Sequence, residues 1–121
     1  MKRLAIALML IPGLAAASEF TWTVTVLDGP TREEKTYRPP DEDFMFTAGH
    51  GFDCVLRRVK QQKKGTGTLE LRFLNCAHRD EGRIWSTSAQ CVGNFSDWGL
   101  MFLYGLDGKL LVTVHAFCSP E

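Results

Sequence analysis

From Phe20 to Leu27 the chain reads FTWTVTVL, in which Phe20, Trp22, Val24 and Val26 point one way and Thr21, Thr23 and Thr25 the other. This period of two belongs to a half-buried strand, and its β-branched and aromatic residues suit a pleated surface. Asp28-Gly29-Pro30 closes the run with turn residues. Similar short runs recur over 35–38, 44–46, 52–60, 68–76, 83–92, 98–105 and 109–118. Pro39-Pro40 ends the run at 35–38, because proline cannot donate to a ladder. No helical stripe appears after residue 18. The chain is therefore expected to be all-β, a small antiparallel β-sandwich or barrel of six to eight strands with two disulfides.

The first residues have a different character. Lys2 and Arg3 precede an uncharged stretch from Leu4 to Ala17, and Ala15-x-Ala17 and Ala16-x-Ser18 fit small-residue cleavage rules. Residues 1–18 read as a signal peptide. The stretch is shorter than the roughly 20 residues a membrane span needs, and Pro12 and Gly13 interrupt it. Removing 18 of 121 residues leaves 103, Glu19 to Glu121, which is one domain of ordinary size. Lys2 and Arg3 leave with the leader, so 12 basic residues face 14 acidic ones. A net charge near −2 does not indicate a nucleic-acid binder. The expected location is secreted or periplasmic.

Four cysteines, Cys54, Cys76, Cys91 and Cys118, fall in the exported part. An even count in a small exported chain reads as two disulfides. A zinc site would instead show close C-x2–4-C pairs, whereas these cysteines are 22, 15 and 27 residues apart. Opposed residues of an antiparallel hairpin have a constant index sum. A turn centred on Gly65 gives a sum of 130. That register sets Cys54 opposite Cys76, Leu56 opposite Leu74, Arg58 opposite Arg72 and Lys60 opposite Glu70. A following hairpin through Arg79–Gly82 leaves Cys91 at the far end of its strand, free for Cys118. The expected pairs are Cys54–Cys76 and Cys91–Cys118.

Between Trp98 and Cys118, Asp107-Gly108 reads as a two-residue hairpin turn. It sets Trp98 opposite Phe117, Leu100 opposite His115, Phe102 opposite Thr113 and Tyr104 opposite Leu111. Both faces of this hairpin are largely apolar, so its strands are expected to be covered on both sides. Assembly of copies through residues 98–118 is one consequence.

The candidate chemistry is sparse. His50, Asp53, His78 and Asp80 flank Cys54 and Cys76, and a bridge there gathers them at one end. Imidazole and carboxylate suit zinc or an acid–base pair, although the spacing fits no metal motif. His115 is expected to be a hydrogen-bonded core residue. Trp22, Trp85, Trp98 and Tyr104 are expected to fill the core; exposed, they would make a sugar-stacking platform. Arg57, Arg58, Lys60, Lys63 and Lys64 read as a solvated strand and tip. Asp41-Glu42-Asp43 lacks calcium-loop spacing, and Asn94-Phe95-Ser96 is a sequon that matters only in a eukaryotic secretory pathway. There is no nucleophile elbow, phosphate-binding glycine loop or HExxH, and no cofactor is expected. These features favour a non-enzymatic exported binding or inhibitor module for another protein or a cell-envelope polymer. The alternatives are a small metal-assisted hydrolase using the His/Asp cluster, and a structural subunit.

Overall fold

A computed structural model of the protein describes residues 20–59, 62–64, 67–92 and 95–120. Residues 1–18, expected to be a leader, lie outside them, as do Lys60 and Asn94. The strands are β1 (Phe20–Asp28), β2 (Glu34–Tyr37), β3 (Phe44–Gly49), β4 (Phe52–Arg58), β5 (Gln62–Lys64), β6 (Gly67–His78), β7 (Ile84–Val92), β8 (Phe95–Asp97), β9 (Gly99–Tyr104) and β10 (Leu110–Pro120). Eight have four or more residues; β5 and β8 are three-residue additions. All ladders are antiparallel.

One sheet has the order β9–β10–β1–β2, and the other β3–β4–β6–β7–β8 with β5 also beside β6. The chain passes from the first sheet to the second between β2 and β3, across Pro39-Pro40, and returns at Trp98. The first and last described strands are neighbours, paired from Val112↔Asp28 to Pro120↔Phe20. No local signal indicates that pairing.

The alternation of β1 is realised as expected, with Phe20, Trp22, Val24 and Val26 all buried. They meet Leu56 and Leu74 of the second sheet and Leu103, Val112 and Val114 of their own in one core. Each such side chain contributes about 1.5–3 kcal/mol when fully buried.

The ladder from Phe52↔His78 to Arg58↔Arg72 keeps the index sum of 130, and Cys54 stands opposite Cys76. Beyond it the register moves by one residue, because Lys63 pairs with Thr68 and Lys64 with Gly67. The sum of 130 therefore does not hold to the end of the hairpin, and Gly65 and Thr66 lie outside the described residues. Both disulfides are the expected ones, Cys54–Cys76 within the second sheet and Cys91–Cys118 between sheets.

The C-terminal hairpin departs from expectation in two ways. From Gly99↔Ala116 to Leu103↔Val112 it keeps its register, but Tyr104 pairs with Leu110, leaving Leu111 as an extra residue on β10. Gly105 N–H donates to the Lys109 carbonyl and Gly108 N–H to the Gly105 carbonyl, with Gly108 at φ 81°. This is a three-residue loop ending in a left-handed glycine, not a two-residue turn. Also, β9 is an edge strand, and its even-numbered side chains are exposed rather than covered.

Candidate functional site

The expected His/Asp cluster does collect at one end of the second sheet, but His50 and Asp53 each turn to a partner outside it, and only His78 and Asp80 meet. His50 sits in the two-residue turn between β3 and β4, where His50 and Gly51 both have positive φ (54° and 86°). That backbone turns the His50 ring toward β1, where Nε2 lies 2.6 Å from Asp28 Oδ1. Asp28 also accepts from the Thr31 N–H and hydroxyl. The Thr31 hydrogen bonds first, and then His50, hold its carboxyl down at about 2.

Asp53 takes a two-point hydrogen bond from Arg79, which keeps its carboxyl below the ordinary range. His78 packs edge-on against Phe52 at 5.0 Å, and its Nδ1 accepts from the Asp80 and Glu81 N–H groups. It shapes the β6–β7 turn rather than merely solvating it. Among the described residues, no three His, Cys, Asp or Glu side chains are placed to hold one metal ion.

A cleft of about 220 Å³ lies beside Asp28, between Val26 and Lys35 of the first sheet and Thr47–Gly49 of the second. It is smaller than the roughly 300–1,000 Å³ of ordinary small-molecule sites.

The basic strand is partly neutralised. Arg58 donates from its backbone N–H to Asp43 and from its guanidinium to the Asp41 carbonyl, and Arg57 lies 4.0 Å from Asp43. The Asp41–Asp43 segment thus serves these arginines. The side chains of Lys60, Lys63 and Lys64 lie outside the described set.

Two buried charges were not legible in the sequence. Glu70 and Arg72 are both fully buried, with Arg72 Nε 3.1 Å from Glu70 Oε2. Trp22 Nε1–H donates to the same oxygen, and Arg72 lies over the Trp22 ring at 5.1 Å. Arg72 also reaches the Pro40 and Glu42 carbonyls. Burial pushes its guanidinium below the ordinary value, and Glu70 pushes back. The period-two pattern does place Glu70 and Arg72 on the Leu74–Cys76 face, and that was the available signal.

The aromatic residues divide. Trp22 is core and Trp85 packs against it, meeting Phe52 at 5.3 Å. Trp98 and Tyr104 are exposed. Along β9 and the residue before it, Trp98, Leu100, Phe102 and Tyr104 are 63%, 45%, 44% and 43% exposed. They share the outer face of the first sheet with His115 and Phe117 of β10. Trp98 stands edge-on over His115 at 5.4 Å, and His115 lies 4.9 Å from Phe117. His115 Nε2 is buried with no hydrogen-bond partner, contrary to the expected hydrogen-bonded core residue, and burial lowers its pKa.

The next strand adds Thr21, Thr23 and Thr25 to this face, opposite Ser119, Phe117 and His115. On β2 it continues with Thr36 and Glu34. Glu34, at the far edge, is the one Asp, Glu, Lys or Arg on this face of the described strands. Monomeric proteins rarely leave so continuous an apolar face uncovered.

Neither a protein-family model, nor a curated protein, nor a solved structure matches the chain.

Proposed function

We propose that the protein is an exported, non-enzymatic binding module that recognises another protein through the outer face of the β9–β10–β1 sheet. The supporting observation is the exposed stripe Trp98–Leu100–Phe102–Tyr104 on an edge strand, backed by an uncharged threonine-lined surface. Aromatic enrichment with few charges is the composition of the centre of a protein interface. Trp and Tyr offer large contact area at low entropic cost.

The same composition disfavours an envelope polysaccharide. Sugar hydroxyls need fixed planar amide, carboxylate or guanidinium partners beside the stacking ring. On this face the neighbours of Trp98 and Phe102 are His115, Phe117, Leu100 and Thr113. Two disulfides suit an oxidising compartment.

A photo-crosslinking amino acid at Trp98, expressed in the native host, tests the reading, with Met45 on the second sheet as control. Met45 is 79% exposed, so accessibility alone does not separate the two sites. The expected result is an adduct to a different polypeptide from Trp98 and none from Met45. Equal adducts from both positions would refute it. Co-sedimentation with purified peptidoglycan that is lost in Trp98→Ser would replace the protein partner with a polymer. Intact mass of the exported protein, beginning just after Ala17 or Ser18, checks the export half.

A further inference from the structure

Among the described residues, β2, β3, β8 and β9 end the two sheets, and the three-residue β5, with Lys63 and Lys64, also has a single neighbour. Proteins guard such edges against unwanted pairing with charge, bulges or short length. β2 is four residues long and carries Glu34 and Lys35. β3 carries its own bulge, since Thr47 pairs with Asp53 but Gly49 with Phe52, leaving Ala48 extra. β8 is three residues long. β9 carries none of these in its own residues, and the Arg83 guanidinium from the β6–β7 turn reaches only the carbonyl of Tyr104 at its end. Its sequence GLMFLY contains no charge and no proline, and the irregularity beside it falls on β10.

We infer that β9 pairs antiparallel with β9 of a second copy about a two-fold axis, joining the two four-stranded sheets into one. An antiparallel pair keeps its faces only when inward residues oppose inward ones. Met101 and Leu103 are buried while Leu100, Phe102 and Tyr104 are exposed, so the index sum must be even. A sum of 204 sets Phe102 against Phe102 at the axis and Leu100 against Tyr104 on either side. It also brings Trp98 toward Leu106 beyond the strand ends, and Leu106 is 77% exposed in the single chain. Each exposed apolar group of β9 then gains an apolar neighbour, and no like charges meet. Of the two neighbouring even sums, 202 leaves Leu106 with no partner on β9, and 206 sets Trp98 opposite Gly108, which has no side chain to cover it.

Such an isologous contact joins identical strands. Its small size places it with weak interfaces, below about 1,200 Å² in total. Dissociation in the micromolar range is therefore expected. Pairing uses the edge of the sheet and leaves its outer face open, so this inference does not depend on the recognition reading.

Sedimentation of the disulfide-intact protein from residue 19, between about 1 and 200 µM, should show mass rising from one chain to two. Phe102→Lys places two ammonium groups at the axis and should hold the protein as a monomer over that range with an unchanged circular-dichroism spectrum. Thr23→Lys, on the outer face two strands from the edge, should still dimerise. Phe102→Cys should oxidise to a covalent dimer, whereas Leu100→Cys should do so only when combined with Tyr104→Cys. A monomer at every concentration, or a dimer broken by Thr23→Lys and not by Phe102→Lys, overturns the inference. A monomer that still gives a Trp98 adduct with another polypeptide would sink the dimer and keep the recognition face. A dimer whose Trp98 adducts contain only this chain would do the reverse.

Discussion

Trp22 Nε1–H donates to Glu70 Oε2 at 2.6 Å, linking β1 of one sheet to β6 of the other through a fully buried carboxylate. Arg72 shares that oxygen and supplies the opposite charge. An indole N–H and a guanidinium are thereby satisfied inside the sandwich, where an unpaired polar group is costly. The contact also fixes how the sheets face each other, because a direct hydrogen bond tolerates little sliding.

Removing one member should be expensive. Glu70→Gln keeps an acceptor for Trp22 but leaves the Arg72 charge without a counter-charge, and a loss of about 3–5 kcal/mol is expected. Replacing both, as Glu70→Leu/Arg72→Met, should cost less than the sum of the two single changes, with a coupling of about 0.5–3 kcal/mol. Urea unfolding of the four proteins measures it. Additive losses would mean that the pair does not act as a unit.

Cys91–Cys118 closes a 27-residue separation and ties β7 to β10 across the core. In the chain-entropy model a loop of this size is worth about 3–4 kcal/mol. Cys91→Ser/Cys118→Ser should lower stability by about that amount, and unreduced protein should yield a peptide joining Cys91 to Cys118. A peptide joining Cys54 to Cys91 would contradict the topology.

Asp28 has a folded pKa of about 2 against an ordinary 3.8. A depressed carboxyl contributes stability that is complete above its unfolded value and is lost as pH falls through the folded one. Asp28→Asn should therefore lower the melting temperature most above about pH 4, and the gap from wild type should close toward pH 2. A gap that stays constant across this range would assign the effect to turn geometry alone.

His115 works in the same direction at milder pH. Its ring is held neutral by burial beneath Trp98 and Phe117, with its pKa below the ordinary 6.5. Its contribution is complete above that ordinary value and declines as pH falls through the lower folded value. His115→Phe keeps an aromatic ring and cannot take up a proton, so it should resist mild acid better than wild type. Melting curves from pH 7 down to 4 decide it; parallel curves would rule out protonation of His115 as the cause of acid loss.

What the sequence determined by itself was local. Period-two runs located the strands, turn residues separated them, and a constant index sum set Cys54 opposite Cys76 and Leu100 opposite His115. These rest on pleat geometry and ladder register, which act over neighbouring residues and across one turn. The Cys54–Cys76 pair followed from that arithmetic, and Cys91–Cys118 from what it left over. Coverage was decided elsewhere. The apolar outer side of β9 read as a buried strand, yet the tertiary order puts β9 at an edge with Phe102 and Trp98 in solvent. Alternation puts Glu70 and Arg72 on the same face as Leu74, but their burial was not legible, because only the packing of the two sheets brings Trp22 to meet them. His50 lies near Asp53 in sequence but turns to Asp28, 22 residues away, because its left-handed backbone points the ring toward β1. Alternation says which side chains share a face; only the packing of whole sheets determines whether that face meets protein or water, since burial belongs to layers brought together from distant parts of the chain.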